Sequence, residues 1–334
     1  MPTAHIGVVT GLPDLLNFIA ALRKKAGLAP VAEANATALL FGGAGSLPQA
    51  LITEFGVTIR RAFPALKAPR IPTDCVQAGR FNPDALPDLD LRRQAGERRI
   101  VYGNAIHKRF HQELYAYLQP DEFVFFDNGL SSYAEHSADI ESDFAARGLP
   151  FPSLACYSLS PPLNVPRYLA GIPGCSLGME DYEDAFVALR RLDSGWGAPG
   201  RPLHVIMGTS LFRTQKISWD EERATYLHLI SQLKSTRPGE TILYKAHPRA
   251  CARPLITKGD GVDVVESTLP AEPFVTPGCN GAVYSITSTA LFSFARLFSW
   301  KAHRIETPAT RRLLDASPHL RMIDLISPTA IADL

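Results

Sequence analysis

Short apolar runs alternate with amphipathic stretches from the first residues onward. The run from His5 to Val9 is rich in β-branched residues and ends at a turn, Thr10 to Pro13. Apolar side chains then recur at helical spacing from Asp14 to Lys25. This opening predicts a strand, a tight turn and a helix.

The same pattern returns in both halves of the chain. Further strands are predicted at 38–41, 99–102, 122–126, 203–207, 241–244, 262–265 and 281–285, and helices are predicted to end at 54 and 118 and to span 220–233 and 290–298. Strands that alternate with helices predict parallel sheets covered by helices on both faces.

Prolines and glycines concentrate between about 149 and 202, which predicts a connection between two domains. We expect a Rossmann-like domain at 1–165, a crossover at 166–202, a second Rossmann-like domain at 203–305 and a helical tail at 306–334. The predicted fold class is α/β with two doubly wound domains. That arrangement resembles the GT-B architecture of glycosyltransferases, in which the active site lies between the domains.

Composition excludes some classes of function. The 334 residues contain 34 Lys and Arg against 33 Asp and Glu, so no overall charge would attract nucleic acid. Five cysteines without a Cys-x-x-Cys pair fit a reducing cytoplasm. No apolar run is long enough to cross a membrane, although association with its inner face stays open.

The first candidate site follows the predicted strand 241–244, where the sequence reads Lys245-Ala246-His247-Pro248-Arg249. Ligands of open α/β sheets bind at the carboxyl ends of strands. His247 could therefore hydrogen-bond a phosphate, with Arg249 or Lys245 supplying positive charge. The alternative is a solvated basic turn.

The second candidate is the Ser288-Thr289 pair, between a predicted strand and the helix that begins at Ala290. Its hydroxyls and the backbone N–H groups of a helix N-terminus could bind an anion. An ordinary helix cap would look the same. A turn at Gly208, Thr209 and Ser210 ends another strand of the same domain and could line the same pocket.

The third candidate, Asp127-Asn128-Gly129, follows the strand 122–126 of the N-terminal domain. A carboxylate in that turn could remove a proton as a general base. Asp-Asn-Gly is also a favoured loop sequence, so an Asx-turn without function is the alternative.

Taken together, these motifs resemble those of the bacterial GT-B sialyltransferases, and most closely the polysialyltransferase family. That family has an acidic-acidic-Gly turn, a His-Pro pair and a Ser/Thr pair in this order. Here His247 and Ser288 are 288 − 247 = 41 positions apart, which is close to the family's spacing. One departure is Asn128, which replaces the second acidic residue.

The resemblance implies an inverting transfer of a sialic-acid-like sugar from a CMP-sugar to a glycan or glycolipid hydroxyl, without metal or cofactor. Asp127 would be the base and His247 the residue that stabilises the departing phosphate. The implied donor-binding residues are His247, Pro248, Arg249, Glu272 at the ribose, Ser288, Thr289, Gly208, Thr209 and Ser210. Asn128, in the family's acidic turn, would lie at the acceptor. Independently of the resemblance, the basic stretch that contains Arg99 and Arg109 could bind an anionic acceptor, and a solvated helix face is the alternative.

Two other functions stay open at this point. A CDP-glycerol or CDP-ribitol phosphotransferase would also use a His-Pro strand end, but such enzymes tend to have Asp-Tyr-Ser-Ser at the later turn, where this chain has Ser285-Ile286-Thr287-Ser288-Thr289. A non-catalytic glycan-binding protein of the same fold is the third possibility.

Overall fold

The structure is a computed structural model of the 334-residue chain. It describes residues 2–27, 35–41, 49–71, 75–77, 80–86, 91, 93–104, 109–126, 140–146, 148, 150–159, 172, 174–193, 195–214, 216–247, 253–316 and 330–331. The chain divides into two compact units, unit 1 at Met1–Leu192 and unit 2 at Asp193–Leu334.

Unit 1 contains a parallel sheet in the order β3-β2-β1-β6-β7-β8-β9 among its described residues. Its strands are β1 Thr3–Val9, β2 Ala36–Phe41, β3 Arg70–Ile71, β6 Arg98–Gly103, β7 Glu122–Phe126, β8 Ser153–Ser158 and β9 Gly174–Ser176, with β4 Val76–Gln77 and β5 Arg80–Phe81 forming a separate antiparallel pair. Its helices are α1 Leu12–Lys25, α2 Gln49–Ala62, α3 Arg109–Leu118, α4 Ile140–Ala146 and α5 Met179–Arg190.

Unit 2 contains a second parallel sheet in the order β12-β11-β10-β13-β14-β15. Its strands are β10 Leu203–Met207, β11 Thr241–Lys245, β12 Asp263–Val265, β13 Gly281–Ser285, β14 Lys301–Ile305 and β15 Ala330–Ile331, and its helices are α6 Trp219–Thr236, α7 Ala290–Phe298 and α8 Pro308–Ala316. Ser218 and Glu221 form a capping box that starts α6. The predicted α/β fold class with two doubly wound domains is confirmed.

Each sheet has a topological switch point, where successive strands begin to add on the other side of the first strand. It lies between β1 and β6 in unit 1 and between β10 and β13 in unit 2. The chains that leave two such strands turn to opposite faces of the sheet, which opens a crevice at their carboxyl ends. These crevices are the places where a doubly wound sheet is expected to bind a ligand.

Each unit has a histidine–tyrosine contact across its own switch point. His5 Nδ1 lies 2.8 Å from Tyr102 Oη, and His204 Nδ1 lies 3.0 Å from Tyr284 Oη. In both sheets the tyrosine stands two residues beyond the histidine's register partner on the neighbouring strand. The units therefore resemble each other in packing detail as well as in strand order.

The boundary between the units differs from the expected crossover at 166–202. Strand β9 pairs with β8, and α5 packs on α1 through the Arg23–Asp184 ion pair at 2.8 Å and a hydrogen bond from Tyr182 to Asn17 at 2.6 Å. This segment is rich in prolines and glycines, and the buried face of α5 joins its described part to unit 1. The tail also differs, because β15 follows the predicted helix.

One ion pair in unit 2 gives a prediction for stability against pH. The guanidinium of Arg223 contacts both carboxylate oxygens of Asp260, at 2.8 and 3.2 Å, and this hydrogen bonding lowers the pKa of Asp260 to about 2. Because the folded pKa of Asp260 is lower than the unfolded pKa of about 3.9, the ionised carboxylate stabilises the fold above about pH 4. This stabilisation is lost as the pH falls through the folded pKa of about 2.

Asp260→Asn should therefore lower the free energy of unfolding by roughly 1 kcal/mol at pH 7. The deficit relative to wild type should shrink as the pH falls from about 4 to about 2 in urea titrations. Asp263→Asn, which changes an exposed carboxylate on β12, is the control and should behave like wild type. A deficit that does not change with pH would exclude this ion pair as its source.

Candidate functional site

Three of the predicted site segments of unit 2 lie at one edge of its sheet. Gly208 follows β10, Ala246 and His247 follow β11, and the segment 286–289 follows β13. These strands are neighbours in the order β11-β10-β13, so their carboxyl ends stand side by side at the switch point. The structure therefore brings together three segments that are far apart in sequence.

Gly208 allows β10 and β11 to approach closely as they leave the sheet. Its N–H donates to the Lys245 carbonyl at 2.9 Å. A Cβ at this position would meet the Tyr244 hydroxyl, with the ring carbon Cζ at 2.8 Å and the Lys245 oxygen at 3.1 Å. Only glycine fits here without displacing a neighbouring group.

The Thr209 side chain points into unit 2. Its hydroxyl donates to Glu222 Oε1 and lies 3.0 Å from Tyr226 Oη, and the residue is buried. The turn 208–210 is predicted to line the donor pocket, and within this turn the Thr209 hydroxyl is bonded inside the fold. Ser210, next in the loop, is half-buried.

Ser285 joins the ends of β10 and β13. Its hydroxyl donates to the Met207 carbonyl at 2.8 Å and accepts from the Ser288 N–H at 3.2 Å. The residue is fully buried. Ser285 thus fixes the position of the turn that carries Ser288 and Thr289.

Helix α7 begins directly after that turn, with Thr289 at its N-cap position. Ser288 Oγ accepts from the Ala290 N–H at 3.2 Å, and the Leu291 and Phe292 N–H groups donate to the carbonyls of Ser288 and Thr289. The first amides of the helix thus have local partners. Thr289 is exposed and makes no side-chain cap hydrogen bond. An anion here would be attracted by the helix dipole and the Thr289 hydroxyl.

Lys245 is buried at the end of β11. Its ammonium donates to the Ala246 carbonyl at 3.0 Å and to the Ser267 carbonyl. The cation therefore fixes the strand end rather than extending to a phosphate in solvent. The half-buried His247 follows immediately, so its backbone leaves a rigid point of the sheet.

Glu272 lies beside the first turn of α7. Its Oε1 accepts a hydrogen bond from the hydroxyl of Ser293, in the first turn of α7. The positive charge of Lys245 also interacts with the Glu272 carboxyl. Burial raises the pKa of the Glu272 carboxyl, while Ser293 and Lys245 act in the opposite direction. The structure therefore places this carboxyl beside the start of α7 and within electrostatic reach of Lys245 at the end of β11.

The positions of Asp127, Asn128, Pro248 and Arg249 lie outside the described residues, as does the side chain of Arg109.

Arg99 is buried in unit 1, where it donates to the Leu91 and Leu118 carbonyls and pairs with Glu97. It also stands at the amino end of β6, away from the ligand-binding edge of that sheet. Arg99 was expected to bind the acceptor, and in the structure its guanidinium is bonded inside unit 1.

The part of the chain that the structure describes contains neither a candidate metal site nor a candidate membrane span. It holds no group of three His, Cys, Asp or Glu side chains arranged to bind a metal ion. None of its helices combines the length and apolar character needed to cross a bilayer.

The part of the sequence that contains this sheet edge matches a known family model. The segment 202–304 matches the family model described as alpha-2,8-polysialyltransferase (POLYST). This segment is similar to the polysialyltransferases. The match contains the strand ends described above, with His247, Glu272, Ser288 and Thr289, and it confirms the resemblance that the motifs predicted. Among curated proteins, no sequence matches the chain significantly.

A solved structure extends the comparison to the whole fold. Spinosyn rhamnosyltransferase SpnG, in a complex with thymidine diphosphate, matches with a TM-score of 0.50 at 13% identity, over 95% of this chain and 85% of that one. At this identity the likeness concerns the fold, which is that of a GT-B glycosyltransferase. The two findings are thus a family match over the segment 202–304 and a likeness of fold over most of the chain.

Sequence reasoning missed Glu222, which accepts three hydrogen bonds from the loop after β10. A signal was present, because Glu222 occupies the same helical face as Tyr226, Leu229 and Leu233. A carboxyl group at a core position of an amphipathic helix requires an explanation beyond packing.

The close approach at Gly208 gives a prediction. Gly208→Ala should lower the free energy of unfolding by about 1–3 kcal/mol, because the new methyl group collides with Tyr244. Tyr244→Phe should be neutral or slightly stabilising, since the buried hydroxyl bonds to none of the described residues. In the double variant the alanine should cost about 1 kcal/mol less than it does alone.

Urea unfolding of the four proteins in this cycle measures the coupling between the two sites. Gly259→Ala is the control, because its nearest atom would be Thr257 Oγ1 at 3.6 Å. Additive effects of the two substitutions would show that Tyr244 does not restrict position 208.

Proposed function

We propose that this protein is an inverting, metal-independent glycosyltransferase that moves a sialic-acid-like sugar from a CMP-sugar to a glycan hydroxyl, in the synthesis of a capsule or another surface polysaccharide. The observation that carries the proposal is the polysialyltransferase match, whose segment spans the three adjacent strand ends at the switch point of unit 2. Ligand binding at such an edge is the rule for doubly wound sheets.

The donor is proposed to bind with its phosphate between His247 and the turn Ser288-Thr289. Positive potential there would come from His247 and from the dipole of α7, which adds a partial charge of roughly +0.5 at its N-terminus. Glu272 stands beside this turn and is the proposed acceptor of hydrogen bonds from the ribose hydroxyls. Gly208 keeps the neighbouring loop free of a side chain at this edge.

The reaction then needs one base and one stabilised leaving group. Asp127 takes the proton from the acceptor hydroxyl, whose oxygen attacks the anomeric carbon of the sugar. The bond from that carbon to the phosphate oxygen breaks, and CMP leaves with the electron pair. His247, Ser288 and Thr289 stabilise the charge that develops on the phosphate. Attack opposite the leaving group inverts the anomeric centre.

A CMP-sugar carries a single phosphate, so the charge at the leaving group is smaller than that of a nucleoside diphosphate. Imidazole, hydroxyl groups and a helix terminus are a donor set suited to that charge. We therefore propose that the reaction needs no metal and no cofactor.

His247→Ala and Asp127→Ala should each lower the transfer rate at least about 100-fold, because each removes a group that acts in the transition state. The measurement is CMP release from a panel of CMP-activated sialic, legionaminic, pseudaminic and Kdo donors, with a glycan acceptor present. CDP-glycerol serves as the donor of the competing phosphotransferase reaction.

His228→Ala, at an exposed position of α6, is the matched control and should keep wild-type turnover. Near-normal turnover in either the His247 or the Asp127 variant would contradict this mechanism. Turnover of CDP-glycerol without turnover of any CMP-sugar would favour the phosphotransferase instead.

A further inference from the structure

Glu222 is a buried carboxyl group in the first turn of α6, and its hydrogen-bond donors come from the loop after β10. Oε1 accepts from the Thr209 hydroxyl and from the Leu211 N–H at 3.3 Å, and Oε2 accepts from the Phe212 N–H at 2.8 Å. The residue is 0% exposed. One side chain therefore fixes the loop at three points.

This arrangement is costly for the fold. Among the described residues, no lysine, arginine or histidine forms an ion pair with Glu222, while the adjacent Arg223 pairs with Asp260. Burial raises the pKa of the Glu222 carboxyl. Apolar side chains fill the same face of α6, so packing alone would favour a hydrophobic residue here. The advantage of a glutamate at this position is the conformation it imposes on the loop.

The hydrogen bonds continue from this loop to the neighbouring strand end. Tyr226 Oη lies 3.0 Å from Thr209 Oγ1 and donates to the Met207 carbonyl at 3.2 Å. The Ser285 hydroxyl donates to the same carbonyl at 2.8 Å and accepts from the Ser288 N–H. A continuous chain of polar contacts thus joins Glu222 to the turn that carries Ser288.

We infer that Glu222 is a positioning residue of the donor site, which holds the loop 208–212 and, through Thr209, Tyr226 and Ser285, the turn at Ser288 in the conformation that binds the nucleotide. This inference rests on the proposed function for the identity of the ligand. The geometry of the network is independent of that identity.

Glu222→Gln tests the inference with little change in side-chain shape. An amide has one acceptor oxygen and directs N–H groups at donors, so at least one loop donor loses its partner. The Kd for CMP and the KM for the CMP-sugar should rise about 5- to 150-fold, and the KM for the acceptor should stay unchanged. Backbone N–H exchange at Leu211 and Phe212 should become faster.

Thr209 provides a second test in case the glutamine variant fails to fold. Thr209→Val removes the hydroxyl while keeping the side-chain shape, and it should raise the donor KM in the same direction. Thr209→Ser keeps the hydroxyl and should restore most of the affinity. Asp220→Asn removes an exposed negative charge from the same helical turn and should leave all of these values at wild type.

Unchanged CMP affinity, donor KM and amide exchange in both the Glu222→Gln and Thr209→Val proteins would overturn the inference. Wild-type protein that fails to bind CMP would instead overturn the proposed function. In that case the comparison of amide exchange still decides whether Glu222 fixes the loop.

Discussion

The carboxyl ends of parallel strands impose the main constraint on unit 2. Within the sheet every strand pairs with its neighbours, but where β10, β11 and β13 end their last peptide groups need other partners. Buried side chains supply them, since Ser285 donates to the Met207 carbonyl, Lys245 to the Ala246 carbonyl, and Glu222 accepts from the loop after β10. The same atoms set the shape of the candidate site.

This constraint separates side chains that build the edge from those that remain for a ligand. Lys245 and Thr209 carry polar groups of the kind that bind phosphate, yet both are buried and bonded within the unit. The half-buried His247 and the exposed Thr289 stand next to these fixed points. A ligand would therefore meet a small number of polar groups held on a rigid backbone, which favours binding because little ordering is needed.

Unit 1 meets the constraint in a similar way. Asp14, in the first turn of α1, is buried and accepts from the Thr10 N–H at 2.9 Å and from the Thr10 hydroxyl. Its other oxygen accepts from Asn104, after β6, at 2.9 Å. In each unit a buried carboxyl group on the helix after the central strand thus binds a threonine after that strand. Asp14 in unit 1 and Glu222 in unit 2 thus bind the threonine after the central strand in a similar way.

Much of the fold follows from local sequence patterns, because apolar strands and amphipathic helices have distinct periods. The bounds of β7, β10, β13 and α7 agree with the sequence prediction. Strand β14 was missed because Lys301, His303 and Arg304 make it polar, although Arg304 is buried beside Glu306.

The site was harder to predict than the fold, since a sequence does not show which way a hydroxyl or ammonium points. The partner of Lys245 at Ser267 is 22 positions away. The order and spacing of His247, Glu272 and Ser288 point to one edge of the sheet of unit 2, but the residues that hold this edge became evident only from the folded chain.

A crystal structure of the protein with CMP is the most direct test of the central claim, that the strand ends around the switch point of unit 2 bind the donor nucleotide. The account predicts the phosphate between the His247 imidazole and the Ser288-Thr289 turn, with the ribose at Glu272. CMP bound away from this edge, in crystals where the edge is open to solvent, would contradict it.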